Sequence, residues 1–261
     1  MLAEERQAAI MEMLRENHSV KITEIAQRFG VANLTARRDL DLLQNQNLVR
    51  RVYGGAILTA AGRDPLIPAE VASASRQELR SIGKQAASLL QDGDIVFLGN
   101  GHTVLEVARH LHKLHNLTVI TDSLAVVNEL CDSGHRIYTA GGMLDYNDHA
   151  MYGANAVQSL ASFWANKAII GCSSISPAHG VADYSTVAAD NDRQMLRNAT
   201  QSIVVCSSYK FRSNGLSVIC PLRDVDIVIT DDGIRPEDRQ AAEALGVTVQ
   251  TVGHGSGGSD L

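Results

Sequence analysis

From residue 76 onward, short and wholly apolar runs alternate with amphipathic stretches, and that rhythm limits the fold more than any other feature of the chain. Apolar runs at 95–98, 117–121, 137–140, 168–171, 202–206, 227–230 and 247–252 read as strands. Helical periodicity is expected at 76–91, 104–114, 123–132, 154–163, 190–199 and 236–245. A strand with no polar face must be covered on both sides, so the pattern predicts a parallel sheet with helices on each face, the α/β class.

In such sheets ligands sit beyond the carboxyl ends of the strands. Those positions read Gly99-Asn100-Gly101-His102-Thr103, Thr121-Asp122-Ser123, Gly141-Gly142, Gly171-Cys172-Ser173-Ser174, Ser207-Ser208-Tyr209-Lys210 and Asp231-Asp232-Gly233. Small residues let backbone N–H groups approach a ligand, and a helix start near Thr103 favours an anion, which is phosphate-binding chemistry. Lys210 is the candidate phosphate cation, its alternative being a solvated loop lysine. His102 is either a donor to a sugar hydroxyl or phosphate or a packed loop histidine. Asp190, Asp192 and Arg193 fall at an expected helix start and read as dipole matching without chemistry.

The first 58 residues differ in charge. They hold eight Lys/Arg against seven Asp/Glu, whereas the whole chain stands at −6. Between Lys21 and Tyr53 six basic residues face three acidic ones. A helix is expected over 4–17, an extended link at 20–22, and a second helix over 23–29 with Thr23 as N-cap and Gly30 as stop. Val31-Ala32-Asn33 makes a turn, and a third helix over 34–45 points Ala36, Leu40 and Leu43 inward and leaves Thr35, Arg37 and Arg38 facing elsewhere. Two extended runs around Gly54-Gly55 follow, carrying Arg50 and Arg51. This is a winged helix-turn-helix, a fold that reads double-stranded DNA with its second helix in the major groove and its wing on phosphates. The expected contacts are Lys21, Thr23, Asn33, Thr35, Arg37, Arg38, Arg50, Arg51 and Tyr53. Asp39 reads as an ion-pairing or orienting group.

The stretch EIAQRFGVANLTARRDLDLL…LVRRVYGGA resembles the N-terminal domain of DeoR-family regulators, whose pattern runs roughly E-L-A-x-x-F-x-V-S-x-x-T-[IV]-R-R-D-L…L-x-R-x-H-G-G-A. Departures are Ala32 for Ser, Ala36 for Ile or Val, Asn47 for Gly and Tyr53 for His; Asn33 is available to take over the cap. The resemblance covers nearly the whole chain. It implies a ribose-5-phosphate-isomerase-like (Rossmann-type) sensor domain that binds a phosphorylated sugar or sugar alcohol. The family's D-[SA]-G-[ST]-T loop is matched at Gly101 and Thr103, its T-N-S by Thr121-Asp122-Ser123, its G-G by Gly141-Gly142 and its following G by Gly153. Its A-D-x-S-K-F corresponds to 206–211, retaining Lys210 and Phe211. Acidic residues are thus replaced at Gly99 and Ser207, which implies a changed pocket and either a different effector or a weakened affinity. The effector set on this reading is Asn100, Gly101, His102, Thr103, Thr121, Asp122, Ser123, Gly141, Gly142, Gly153 and Lys210.

The expected organisation is a DNA-binding domain at 1–58, a Gly- and Pro-bearing linker at 59–75, an α/β effector domain at 76–253 and a flexible tail at 254–261. One recognition helix is too small an interface for specific affinity, so a homodimer or homotetramer is expected. Four scattered cysteines without a C-x-x-C pair indicate buried free thiols rather than zinc or disulfides. His110, His112 and His115 do not share a helix face, so no metal is expected. The absence of a long apolar run or a leader-like N-terminus predicts a cytoplasmic protein with no membrane association. Two other readings compete with a ligand-controlled repressor. A sugar-phosphate isomerase could use Asp122, Asp183 or Asp231 as base, although no carboxylate and lysine stand at fixed spacing. A redox sensor would need a dinucleotide, but GNGHTV lacks the third glycine, and no cofactor is expected.

Overall fold

The computed structural model describes residues 3–17, 19–45, 49–52, 54–58, 69–146 and 148–253. The expected tail at 254–261 and the linker residues 59–68 lie outside them. The chain divides into two compact units, 1–73 and 74–261.

The first unit contains α1 (Ala3–Asn17), β1 (Ser19–Lys21), α2 (Ile22–Phe29), α3 (Asn33–Asn45), β2 (Val49–Val52) and β3 (Gly55–Leu58). Ile10, Met13 and Leu14 of α1, Ile25 of α2 and Ala36, Leu40 and Leu43 of α3 fill one core, as their periodicity demands. The stretch expected as a link is instead a strand. β1 pairs with β3, completing an antiparallel sheet in the order β1-β3-β2.

The second unit contains α4 (Ala69–Ala87), β4 (Ile95–Leu98), α5 (His102–Arg109), β5 (Thr118–Thr121), α6 (Leu124–Leu130) and β6 (Arg136–Thr139). It continues with β7 (Met143–Asp145), β8 (Ala150–Tyr152), α7 (Ala154–Ala161), β9 (Ala165–Ile170), β10 (Ser174–Ser176) and β11 (Gly180–Asp183). Last come α8 (Thr186–Arg197), β12 (Ala199–Val205), β13 (Ser217–Cys220), β14 (Ile227–Asp231), α9 (Pro236–Glu243) and β15 (Thr248–Val252). Among the described residues, a seven-stranded sheet runs β15-β14-β12-β9-β4-β5-β6, with every pair parallel.

Alternate residues of the central strands enter opposite cores, which is why their runs are so apolar. Val96, Leu98, Ile169, Ile203 and Ile229 pack against α4, α5 and α6 through Ile82, Val104, Val107 and Leu130. Phe97, Ala168, Ile170, Val204 and Val228 pack on the other side against Leu160, Ala189, Met195 and Ala242 of α7, α8 and α9.

Several boundaries correct the expectation. α4 begins at Ala69, inside the segment read as linker, and α5 ends at Arg109 before a 3-10 turn at Leu111–Lys113. α8 starts at Thr186 rather than 190 because Ser185 Oγ accepts the Ala188 N–H at 3.3 Å, an N-cap the periodicity did not reveal. The β7–β8 hairpin and the antiparallel sheet β10-β11-β13 were not expected at all. Their strands are three or four residues long and carry little apolar alternation. Cys131 is exposed at the end of α6, so not every thiol is buried; all four are free.

Candidate functional site

In the first unit the chain turns from α2 into α3 through Gly30, whose φ of 63° is the left-handed conformation glycine adopts without strain. Lys21, extended at φ −92° and ψ 145°, caps α2, and its N–H donates to Glu24 at 3.0 Å. Thr23 therefore lies within the first turn and is not the cap. At α3 the Ala32 carbonyl accepts the first helical N–H, from Ala36 at 3.1 Å. Asn33 is accordingly the first helical residue, one place earlier than expected, and the backbone of Ala32 closes the helix without a side-chain cap.

This start sets the outward face of α3. Asn33, Leu34, Arg37 and Arg38 are exposed, Thr35 is half-buried, and Ala36 and Leu40 are buried. Leu34, 60% exposed at the head of the helix, was missed by the sequence reading. Its signal was an apolar residue out of phase with the inward positions. Asp39 is buried and chelates the Arg6 guanidinium through Nε at 2.6 Å and Nη2 at 3.0 Å, so α1 holds α3 by a forked ion pair. Lys21 and Thr23 are exposed on the preceding strand and helix. The side chains of Arg50 and Arg51, and all of Tyr53, lie outside the described residues.

In the second unit the chain order of the sheet reverses between β4 and β9, whose neighbours run outward in opposite directions. Ligands of open α/β sheets bind in the crevice at such a reversal. Gly99 follows β4 and Gly171 follows β9, and a Cβ on Gly171 would lie 3.5 Å from the Asn100 carbonyl oxygen. α5 opens beside them: Gly101 has φ 127°, and its carbonyl accepts from Leu105 N–H at 2.9 Å. The N–H groups of His102, Thr103 and Val104 precede the first helical bond and have no partner among the described residues.

Of the expected effector residues, several are brought together here as scaffold. Asn100 donates to the Asp148 carbonyl at 3.0 Å and accepts from Ser123 Oγ at 2.7 Å. Thr121 is fully buried, and its Oγ1 accepts the Ser123 N–H at 3.0 Å. Gly142 packs against β8, where a Cβ would stand 2.6 Å from the Tyr152 oxygen; Gly153 leads into α7, and Gly141 is exposed. His102 is exposed and Thr103 half-buried in the first turn of α5. Lys210 lies in the 3-10 turn Ser208–Arg212 that follows β12, its Nζ 4.9 Å from the Tyr209 ring centroid. Its charge acts on the Cys172 thiol, which Cys206 and burial nevertheless push up.

The sequence reading missed two residues of α8. Asn191 and Asp192 are buried, and Asn191 Nδ2 donates to Asp122 Oδ2 at 2.7 Å and to the Met151 carbonyl at 2.8 Å. A Cβ on Gly99 would stand 3.0 Å from Asp192 Oδ1. Burial pushes the Asp122 carboxyl up to about 6, and burial together with Asp122 and Asp183 raises Asp192 well above the carboxylate range. Asp190 instead faces outward and pairs with Arg193 at 2.5 Å, mid-helix rather than at the dipole end. Asp183 and Asp231 are engaged by Ser173 and Ser185 and by Ser208 and Gly233 respectively. No group of His, Cys, Asp and Glu suited to a metal occurs among the described residues, and no described helix is long and apolar enough to cross a membrane.

A carboxyl raised in the folded state binds its proton more tightly there, so it loses stability as pH climbs from about 4 through 6. The second unit is therefore expected to melt higher at pH 5 than at pH 7. Asp122→Asn should raise the pH 7 melting temperature and flatten that dependence, measured by thermal denaturation across pH. An unchanged slope would mean that Asp122 is not desolvated.

A model of the DeoR-like helix-turn-helix domain matches residues 6–61, and one of the DeoR C-terminal sensor domain matches 74–232. The chain is 34% identical over 234 residues to the transcriptional repressor AccR of Agrobacterium fabrum, covering 89% of this chain and 91% of that one. It is 35% identical over 242 residues to the HTH-type transcriptional repressor GlcR of Bacillus subtilis, covering 88% and 89%. It is 31% identical over 233 residues to the lactose phosphotransferase system repressor of Lactococcus lactis, covering 87% and 91%. Ribose 5-phosphate isomerase A of Methanocaldococcus jannaschii overlaps 51% of this chain and 52% of its own at 16% identity and a TM-score of 0.38, too slight an overlap to argue from. With a pinned recognition helix in one unit and a sensor sheet in the other, this chain belongs to the DeoR family of DNA-binding helix-turn-helix transcription regulators.

Proposed function

We propose that this protein is a ligand-controlled repressor of carbohydrate-metabolism genes, binding double-stranded operator DNA as a homodimer or homotetramer and releasing it when a phosphorylated sugar or sugar alcohol fills the crevice. The observation that carries the reading is the N–H cluster at the start of α5, unpartnered among the described residues and beside the strand reversal, with Lys210 on the turn that follows β12 of the same sheet. Three amides at a helix start and one cation make a phosphate cradle. Relatives that include a lactose phosphotransferase system repressor support the carbohydrate assignment. The strand order, doubly wound about β4 and β9, supports an isomerase-like, Rossmann-type sensor fold with its ligand crevice at that reversal. The domain division at 1–58 and 76–253 fits two units that switch against each other.

On the DNA side, Arg37 and Arg38 reach base edges or phosphates, Leu34 offers a thymine methyl an apolar contact, and Lys21, Thr23, Asn33, Thr35, Arg50, Arg51 and Tyr53 serve positioning. Against a duplex selected from random sequence, Arg37→Ala and Arg38→Ala are each expected to cost about 1–3 kcal/mol of binding with folding intact. Lys210→Ala should leave that affinity unchanged while blunting release by phosphorylated sugars. If both arginine variants bind as tightly as the parent, α3 is not the reading helix. If Lys210→Ala responds fully, the phosphate lies elsewhere.

A further inference from the structure

We propose that Asp122, Asn191 and Asp192 form a subsite that takes hydrogen bonds from the hydroxyl groups of a polyhydroxy ligand, the Asp192 carboxyl group standing where a side chain at Gly99 would otherwise lie. The inference rests on the crevice between β4 and β9 being the effector site.

Three observations converge on it. Asp122, Asn191 and Asp192 are 3%, 0% and 8% exposed. Asp122 Oδ1 and Asn191 Oδ1 are buried without a hydrogen-bond partner among the described residues. Burying such acceptors unpaired costs on the order of 1–3 kcal/mol each, a cost that a ligand's donors remove. These groups are acceptors at these atoms, so they do not suit a phosphate. The phosphate cradle of α5 and Lys210 is a separate pole, and a sugar or polyol phosphate carries both kinds of group.

Gly99 explains the geometry. A Cβ there would stand 3.0 Å from Asp192 Oδ1 and 3.4 Å from Ile170 Cγ2, so a larger residue at 99 and a carboxylate at 192 compete for one space. The acid comes from α8, the backbone at 99 is left bare, and neighbouring Asn191 supplies an amide oxygen. Hydroxyl selectivity is thereby set by α8 rather than by the loop after β4.

The experiment measures binding to the full-length protein by titration calorimetry and thermal shift. The probes are inorganic phosphate and a panel of phosphorylated pentoses, hexoses and their polyols, with glucosamine 6-phosphate as the cationic comparison. At least one polyhydroxy phosphate should bind tighter than inorganic phosphate, and Asp192→Asn should weaken it about tenfold. Phosphate itself should change by less than about twofold, and melting of the unliganded variant should not fall. Gly99→Asp alone should be destabilised by the clash, whereas Gly99→Asp with Asp192→Ala should recover both folding and most of the lost affinity. That rescue would not follow from a merely structural Asp192. If inorganic phosphate binds as tightly as every panel member, the hydroxyl subsite is wrong and the phosphate reading stands. If neither binds, the effector-site reading fails with it. Preference for the aminosugar over its hydroxyl counterpart by more than about tenfold would make this a cation site and overturn the proposal.

Discussion

Removing either partner of the Arg6–Asp39 pair is expected to destabilise the DNA-binding unit by about 2–4 kcal/mol, a large share of what so small a module possesses. The pair is the forked contact, 2.6 and 3.0 Å, between α1 and α3. Arg6 and Asp39 are 8% and 3% exposed, so Arg6→Ala strands a carboxylate that water reaches poorly, and Asp39→Ala strands a guanidinium. Gln7, 3.5 Å from Asp39 Oδ1, is too distant to take over. Replacing both, as Arg6→Met with Asp39→Leu, leaves no uncompensated charge and should restore part of the stability. Urea unfolding of the parent, the singles Arg6→Met and Asp39→Leu, and the double variant closes the cycle. A further expectation separates orientation from stability: the double variant should fold yet bind operator more weakly than its stability implies, because the fork fixes how α3 presents Arg37 and Arg38. Singles that unfold at the parent's urea midpoint would remove the pair from any structural role.

How far the chain could be read before folding depended on the range of the forces involved. The central strands of the large sheet were legible because they are buried on both faces, so Val96–Leu98 and Ile227–Ile229 are continuously apolar. The order of those strands was not, since continuous apolar runs carry no register, and the reversal between β4 and β9 emerges only from tertiary pairing. The helix-turn-helix was legible through Gly30 and the inward series Ala36, Leu40 and Leu43. Its cap was misread because Lys21, a poor capping type, occupies the cap position through the backbone of a strand.

The candidate effector site was half visible. Its glycine-rich loops stood out, yet Asn100, Thr121 and Ser123 turned out to spend their side chains on one another. Asp192 was dismissed because α8 was started four residues late. With the start at Thr186, capped by Ser185, residues 191 and 192 fall in the helix interior and are buried, where a start at 190 had left them in a solvated first turn.

Gly55→Ala is expected to abolish the wing, at a cost of about 3 kcal/mol or more, whereas Gly54→Ala one residue earlier should cost about 1–2 kcal/mol. The two glycines are required for different reasons. Gly54 has φ 80° with nothing within 4 Å of a Cβ, so its substitution meets only the intrinsic penalty of the left-handed region. Gly55 lies opposite Lys21 in the β1–β3 ladder, and a Cβ there would stand 2.0 Å from the Val20 oxygen and 3.0 Å from its carbonyl carbon. Backbone cannot swing aside as a side chain does. The strands would have to part, breaking the pairing of Val20 with Ala56 and the Ile22 N–H to Gly54 carbonyl bond of 2.9 Å. Among the described residues β2 pairs only with β3, so the loss would release the strand carrying Arg50 and Arg51 as well. Operator binding should therefore collapse in Gly55→Ala and weaken only modestly in Gly54→Ala. Binding of phosphorylated sugars by the second unit should persist in both, because its two cores share no residue with the first. Hydrogen exchange would report the opening of β1 and β3 directly; equal protection in the two variants would show that the close approach at Gly55 does not hold the wing in place.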